Sequence, residues 1–175
     1  MWIWQEYDVF NCLFARCLGK KGGRHLSIFV ILTPWFGDKI MQFNFEIDST
    51  WCLEQLKNDG YITDREKLLV QTTHRQREQL KWHPLQWIAS FNLKNQHDLS
   101  QILSLNVLTE WLAKKANLPL YTIDPLKADV PVLTAVMSQE FALRNKILAV
   151  EVQDERVLIA TDQPFMTDWQ HNLAS

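Results

Sequence analysis

LPLYTI (residues 118–123), PVLTAVMSQEFALRN (131–145), ILAVEV (147–152) and RVLIAT (156–161) follow one another, and this stretch decides the fold. The first is a short apolar strand. The second carries Leu133, Val136, Met137, Glu140 and Phe141 at helical spacing, an apolar stripe with one polar break. Pro131 suits the first helical turn, where its missing N–H costs nothing. Arg144 and Lys146 put positive charge near the C-terminus, where the helix dipole favours it, and Asn145 is the expected left-handed stop. One helix over 131–145 is therefore predicted. The last two segments, joined by the polar Gln153-Asp154-Glu155-Arg156, read as a hairpin. The unit is β-α-β-β, with a closing helix expected from Pro164.

Working toward the N-terminus, the pattern becomes helical. Trp51, Leu53 and Leu56 mark a short helix that Gly60 can close with a positive φ. Thr63-Asp64-Arg65-Glu66 is a capping box, in which the threonine hydroxyl serves the glutamate amide and the glutamate reaches back. It opens a helix predicted to run to about Leu80, anchored by Leu68, Leu69 and Leu80. Pro84 starts another short helix, with Leu85, Trp87 and Ile88 turned inward and Asn92 as its stop. A looser segment spans 94–101. Ser104 then caps a helix whose core stripe is Leu105, Leu108, Trp111 and Leu112, ended by Asn117 and Pro119. Residues 52–61 and 84–93 align as an internal repeat, each followed by a hydroxyl cap and a longer helix. Two stacked short-long helix pairs explain this.

The fold class is thus α+β. Residues 1–45 form an extension without a firm assignment, 46–117 a helical subdomain, and 118–175 the β-α-β-β subdomain, with Asn117-Leu118-Pro119 as a hinge. The extension holds Gly19, Gly22, Gly23 and Gly37 among the 5 glycines of the chain. Met41, at the compositional break, is a candidate natural start.

Bulk properties exclude several functions. Formal net charge is -2 and pI about 6.2, so no basic excess marks a nucleic-acid binder. No apolar run reaches the length of a membrane helix, and Lys20 to Leu32 lacks the position and cleavage site of a secretory signal. Cys12, Cys17 and Cys52 lack paired spacing and read as reduced thiols. His25, His74, His83, His97 and His171 show no metal-ligand spacing. Asp64, Glu66, Asp124 and Asp129 read as caps and turn residues, and no nucleophile elbow is present. No catalytic, cofactor-binding or metal-binding residue is assigned. Trp51, Trp87 and Trp111 lie on apolar stripes and belong to the core, whereas Trp82 and His83, beside a helix start, are the residues expected to contact a partner.

The two-copy helical pattern joined to strand-helix-hairpin resembles the N-terminal regulatory region of the secretion and pilus assembly ATPases, the GspE/PulE family. LNVLTEWLA (105–113), NLPLY (117–121), IDPLK (123–127), VMSQEFA (136–142), KILAV (146–150) and VLIATDQP (157–164) carry the resemblance, which covers about residues 45–175. It implies a non-catalytic, cytoplasmic module of a type II secretion or type IV pilus motor. Such a module docks on the cytoplasmic part of an inner-membrane platform protein, peripheral to the membrane through that partner, and serves a separate or downstream ATPase core. No Gly-x-x-x-x-Gly-Lys-Ser/Thr loop is present to cradle phosphates, so no ATP hydrolysis is expected. Because the chain stops at Ser175 within the expected closing helix, it reads as a fragment, a truncated relative or an isolated domain. The resemblance also implies an alternative, a small-ligand sensor binding a cyclic dinucleotide. Relatives do so with an arginine and a glycine at each short helix; here Lys81-Trp82-His83-Pro84-Leu85 and Asp48-Ser49-Thr50-Trp51 depart from that pattern.

Overall fold

The computed structural model describes residues 26–33, 44–123, 130–153 and 156–170. Their contacts define two compact units. One comprises residues 47–111; the other comprises the described residues of 26–46 and 112–170. Both helices and strands are present, and the chain is α+β.

In the first unit α1 (Ser49–Asn58) starts at Asp48, whose carboxylate accepts from the Trp51 amide. It buries Cys52, Leu53 and Leu56. Burial pushes the Cys52 thiol up to about 12, with Asp48 adding to the rise, so the thiol is uncharged at neutral pH. The helix ends as the sequence predicts. Gly60 has φ +77, its amide donates to the Lys57 carbonyl at 2.9 Å, and the Tyr61 amide donates to Leu56 at 2.8 Å, the paired bonds of a glycine-stopped helix. A Cβ at Gly60 would also lie 3.3 Å from His97 Cε1. Gly60→Ala is therefore expected to destabilise the protein by about 1–2 kcal/mol from the left-handed backbone alone. Urea denaturation checks this, and a cost near zero would show that the turn is not held as described.

The capping box at Thr63 is present in both directions, opening α2 (Asp64–Thr72). The helix does not continue to Leu80. The Thr72 hydroxyl bonds back to Leu68 O at 2.9 Å and the Thr73 hydroxyl to Leu69 O at 2.7 Å, and Thr73 turns extended. Side-chain bonds of this kind satisfy the last carbonyls and let the chain leave the helix. Only a short 3-10 turn, Glu78–Lys81, follows. The anchors also differ from expectation. Val70 is buried, whereas Leu68, Leu69 and Leu80 are 60%, 51% and 65% exposed. The inward stripe of α2 is Glu66, Lys67 and Val70, at i, i+1 and i+4. Its charges are partnered: Lys67 pairs with Glu54 and Glu66 bonds to Thr63.

After α3 (Pro84–Ala89), which buries Leu85, Trp87 and Ile88, the chain reverses at Asn92 with φ 51. The segment expected to be loose forms a small antiparallel pair, β2 (Lys94–Asn95) and β3 (Asp98–Ile102). Buried Asn95 holds it by donating to Gln101 Oε1 at 2.8 Å. Gln96 N donates to Tyr61 O at 3.1 Å and His97 Nε2 lies 2.8 Å from Asp59 O, which ties the turn to the end of α1. α4 (Leu105–Ala116) then buries Leu108 and Trp111, and the Trp111 indole donates to Asp59 Oδ2 at 2.8 Å.

In the second unit, four strands form a sheet in the order β4-β1-β6-β5, all neighbours antiparallel. They are β1 (Leu26–Thr33), β4 (Leu120–Ile123), β5 (Ile147–Gln153) and β6 (Arg156–Thr161). β1, from the stretch left without a firm assignment, lies between β4 and β6. The predicted hairpin is β5 and β6, in register from Ile147↔Thr161 to Gln153↔Arg156 with a shift between Ala149 and Glu151. The single predicted helix is two: α5 (Val130–Val136) and α6 (Gln139–Asn145). Ser138 breaks it by adopting an extended conformation and capping α6, its hydroxyl accepting from Phe141 N at 3.2 Å. The left-handed stop is Lys146, φ 54, one residue past the asparagine expected there. Asn145 instead donates its side-chain amide to Phe141 O at 2.7 Å. Residues 164–165 and 168–169 make turns where the closing helix was expected to start, residue 170 is helical, and residues 171–175 lie outside the described residues. The core of this unit is Met137, Ala142, Ile147, Ala149, Ile159 and Trp169.

Candidate functional site

The first unit carries an aromatic cluster where α3 begins. His83 caps that helix, its Nδ1 accepting from Leu85 N at 3.3 Å, and Pro84 follows as the first helical residue. Trp82, half-buried, packs its ring 6.5 Å from Trp87 at a tilt of 57°. Phe91 meets Trp87 edge-on at 4.8 Å. The two residues predicted to contact a partner are thus adjacent to one another, one as a cap and one as the outer member of a tryptophan pair. The Trp82 indole N–H and the Gln86 side-chain oxygen are buried and have no hydrogen-bond partner among the described residues.

Arg75 completes the cluster. With α2 ended at Thr72, the following loop brings the Arg75 guanidinium over the Trp87 ring, 4.9 Å from its centre. Stacking on an indole face is favourable for a guanidinium, whose planar charge meets the negative ring face. The contact borders a cleft of about 230 Å³ with a floor of Leu53 and Val70 and a polar wall of Ser49, Thr50, Gln71 and Thr73. Burial lowers the Arg75 pKa, while the Asp48 carboxylate acts in the opposite sense. Arg75 remains charged at neutral pH all the same. Its guanidinium has no hydrogen-bond acceptor among the described residues.

Sequence reasoning missed Arg75. The sequence places it within a helix predicted to run to about Leu80, whereas its actual position follows from the early end of α2 at Thr72. The signal was the Thr72-Thr73 pair, two β-branched hydroxyl residues able to end a helix. Chemically the arrangement offers a cation, hydroxyls and an aromatic face, which suits binding. Among the described residues no group of three His, Cys, Asp or Glu side chains is placed to hold a metal.

The strand-helix-hairpin stretch is similar to a known domain. Residues 116–175 match the MshEN domain, the N-terminal domain of GspE-type and type IV pilus ATPases. The chain thus carries a region similar to that domain. More particularly, it is 66% identical over 133 residues to the Type IV pilus assembly ATPase TfpB of Acinetobacter baylyi (strain ATCC 33305 / BD413 / ADP1). That alignment takes in 76% of this chain and 23% of the relative, so the chain spans less than a quarter of the length of the curated protein it matches. No solved structure matches it.

Proposed function

We propose that this chain is a non-catalytic docking and regulatory module of a type IV pilus assembly motor. It grips the cytoplasmic part of an inner-membrane platform protein and serves an ATPase core. The single observation carrying this reading is the 66% identity to a pilus assembly ATPase over 133 residues. The surface agrees with a gripping role. Leu68, Leu69 and Leu80 are large apolar side chains on the surface, the material from which protein contacts are made. Trp82 and His83 stand in the same unit as contact residues. Among the described residues no helix is long and apolar enough to cross a membrane, so attachment through a protein is the economical route.

The test is competition in a piliated host. Overproduction of the chain is expected to reduce surface pili and twitching by occupying the docking site, with no ATP turnover by the purified chain. Normal piliation at high expression would contradict docking, and turnover by the pure protein would contradict the non-catalytic part.

A further inference from the structure

We infer that the cleft beside Arg75 receives a carboxylate side chain from an acidic peptide segment of the protein partner. This rests on the docking reading and names the chemistry of one contact within it.

Three observations carry it. The Arg75 guanidinium lies over the Trp87 ring, 4.9 Å from its centre, a contact that supports it. Its N–H edge finds no acceptor among the described residues, although it borders a partly enclosed cleft. A guanidinium held this way presents two parallel donors, the geometry a carboxylate accepts in bidentate fashion. The rest of the wall, Ser49, Thr50, Gln71 and Thr73, supplies neutral hydroxyl and amide groups suited to the same ligand.

Charge and size select among anions. Among the described residues Arg75 is the one charged residue lining the cleft, and Asp48 lies close enough to act on it. One cation with a carboxylate nearby matches a singly charged group and disfavours a doubly charged phosphate. The volume, about 230 Å³, is below the roughly 300–1,000 Å³ of typical small-ligand pockets and suits an inserted side chain. Asp48 is held in place by its cap, its carboxylate accepting from Trp51 N at 2.7 Å.

The experiment is a titration of the full chain, isotopically labelled, with a capped eight-residue peptide of alternating alanine and glutamate, followed by nuclear magnetic resonance. The glutamine counterpart is the control. The glutamate peptide is expected to shift the Arg75 side-chain N–H, the Trp87 indole and the Ser49 and Thr50 amides. The glutamine peptide is expected to leave them in place. Arg75→Gln is expected to weaken binding about tenfold or more, the loss of a charge-assisted pair. Arg75→Lys, which keeps the charge and loses the fork, is expected to fall between. Asp48→Asn keeps the helix cap, since asparagine caps as well as aspartate, and is expected to tighten binding severalfold by removing the opposing charge. Equal binding of the two peptides, or unchanged binding by Arg75→Gln, would overturn the proposal. So would inorganic phosphate or a cyclic dinucleotide shifting the same signals at lower concentration than the peptide. Loss of peptide binding with pilus competition intact would reject this cleft and leave the docking role standing. Peptide binding without competition would reject the docking role and with it the partner named here.

Discussion

Replacing Trp169 by alanine is expected to destabilise the strand-helix-hairpin unit by about 3–5 kcal/mol, the cost of emptying a large aromatic site. Trp169 is 1% exposed and packs in the core with Met137, Ala142, Ile147, Ala149 and Ile159. Its indole donates to Met166 O at 2.7 Å. Alanine removes the ring and also leaves that carbonyl without its donor. Trp169→Phe fills most of the space and loses only the polar contact, so a loss of about 1 kcal/mol is expected. Urea denaturation followed by far-ultraviolet circular dichroism measures both. A cost under 1 kcal/mol for the alanine variant would place Trp169 outside the core. The residue also lies within the region matched to the MshEN domain, so the experiment probes that part of the fold.

The second large effect separates two leucines that the sequence makes equal. Leu56 is 0% exposed on α1, and Leu68 is 60% exposed on α2. Leu56→Ala is expected to cost about 2–5 kcal/mol, the range for a buried leucine truncated to alanine. Leu68→Ala is expected to change stability by no more than about 0.5 kcal/mol, as for an ordinary surface position. If α2 were rotated to bury Leu68, as periodicity alone suggests, both would be costly. The same variant has a second use. An exposed leucine that contributes nothing to stability and yet weakens partner capture belongs to the docking surface.

Local signals with a short reach were legible in the sequence. Thr63 and Glu66 form their capping box within four residues, and Gly60 is the residue whose backbone tolerates φ +77. The hairpin from Ile147 to Thr161 follows from two apolar runs and a polar turn between them. What failed depended on partners distant in the chain. Leu68, Leu69 and Val70 are consecutive, and a helix cannot turn three successive side chains inward. The inward choice is Val70, because Lys67 on that face meets Glu54 of α1, a pairing that apolar periodicity does not reveal. β2 and β3 are polar and short, held by the Asn95–Gln101 bond and by His97 against the end of α1. Ser138 caps the second helix from within an apolar stripe, and the stripe's helical spacing does not reveal the break. Of the candidate site, Trp82 and His83 were named from their place at a helix start. Arg75 was not, because its contact with Trp87 crosses from the loop after α2 to the middle of α3.

The central claim is a grip on a pilus platform by a chain that performs no catalysis, and direct binding tests it. The purified chain is immobilised and titrated with the purified cytoplasmic part of the platform protein, alongside the Arg75→Gln and Leu68→Ala variants. The expected result is saturable binding by the native chain that weakens in at least one variant while both remain folded. No binding by a folded native chain, at concentrations up to the solubility of either protein, would contradict the account.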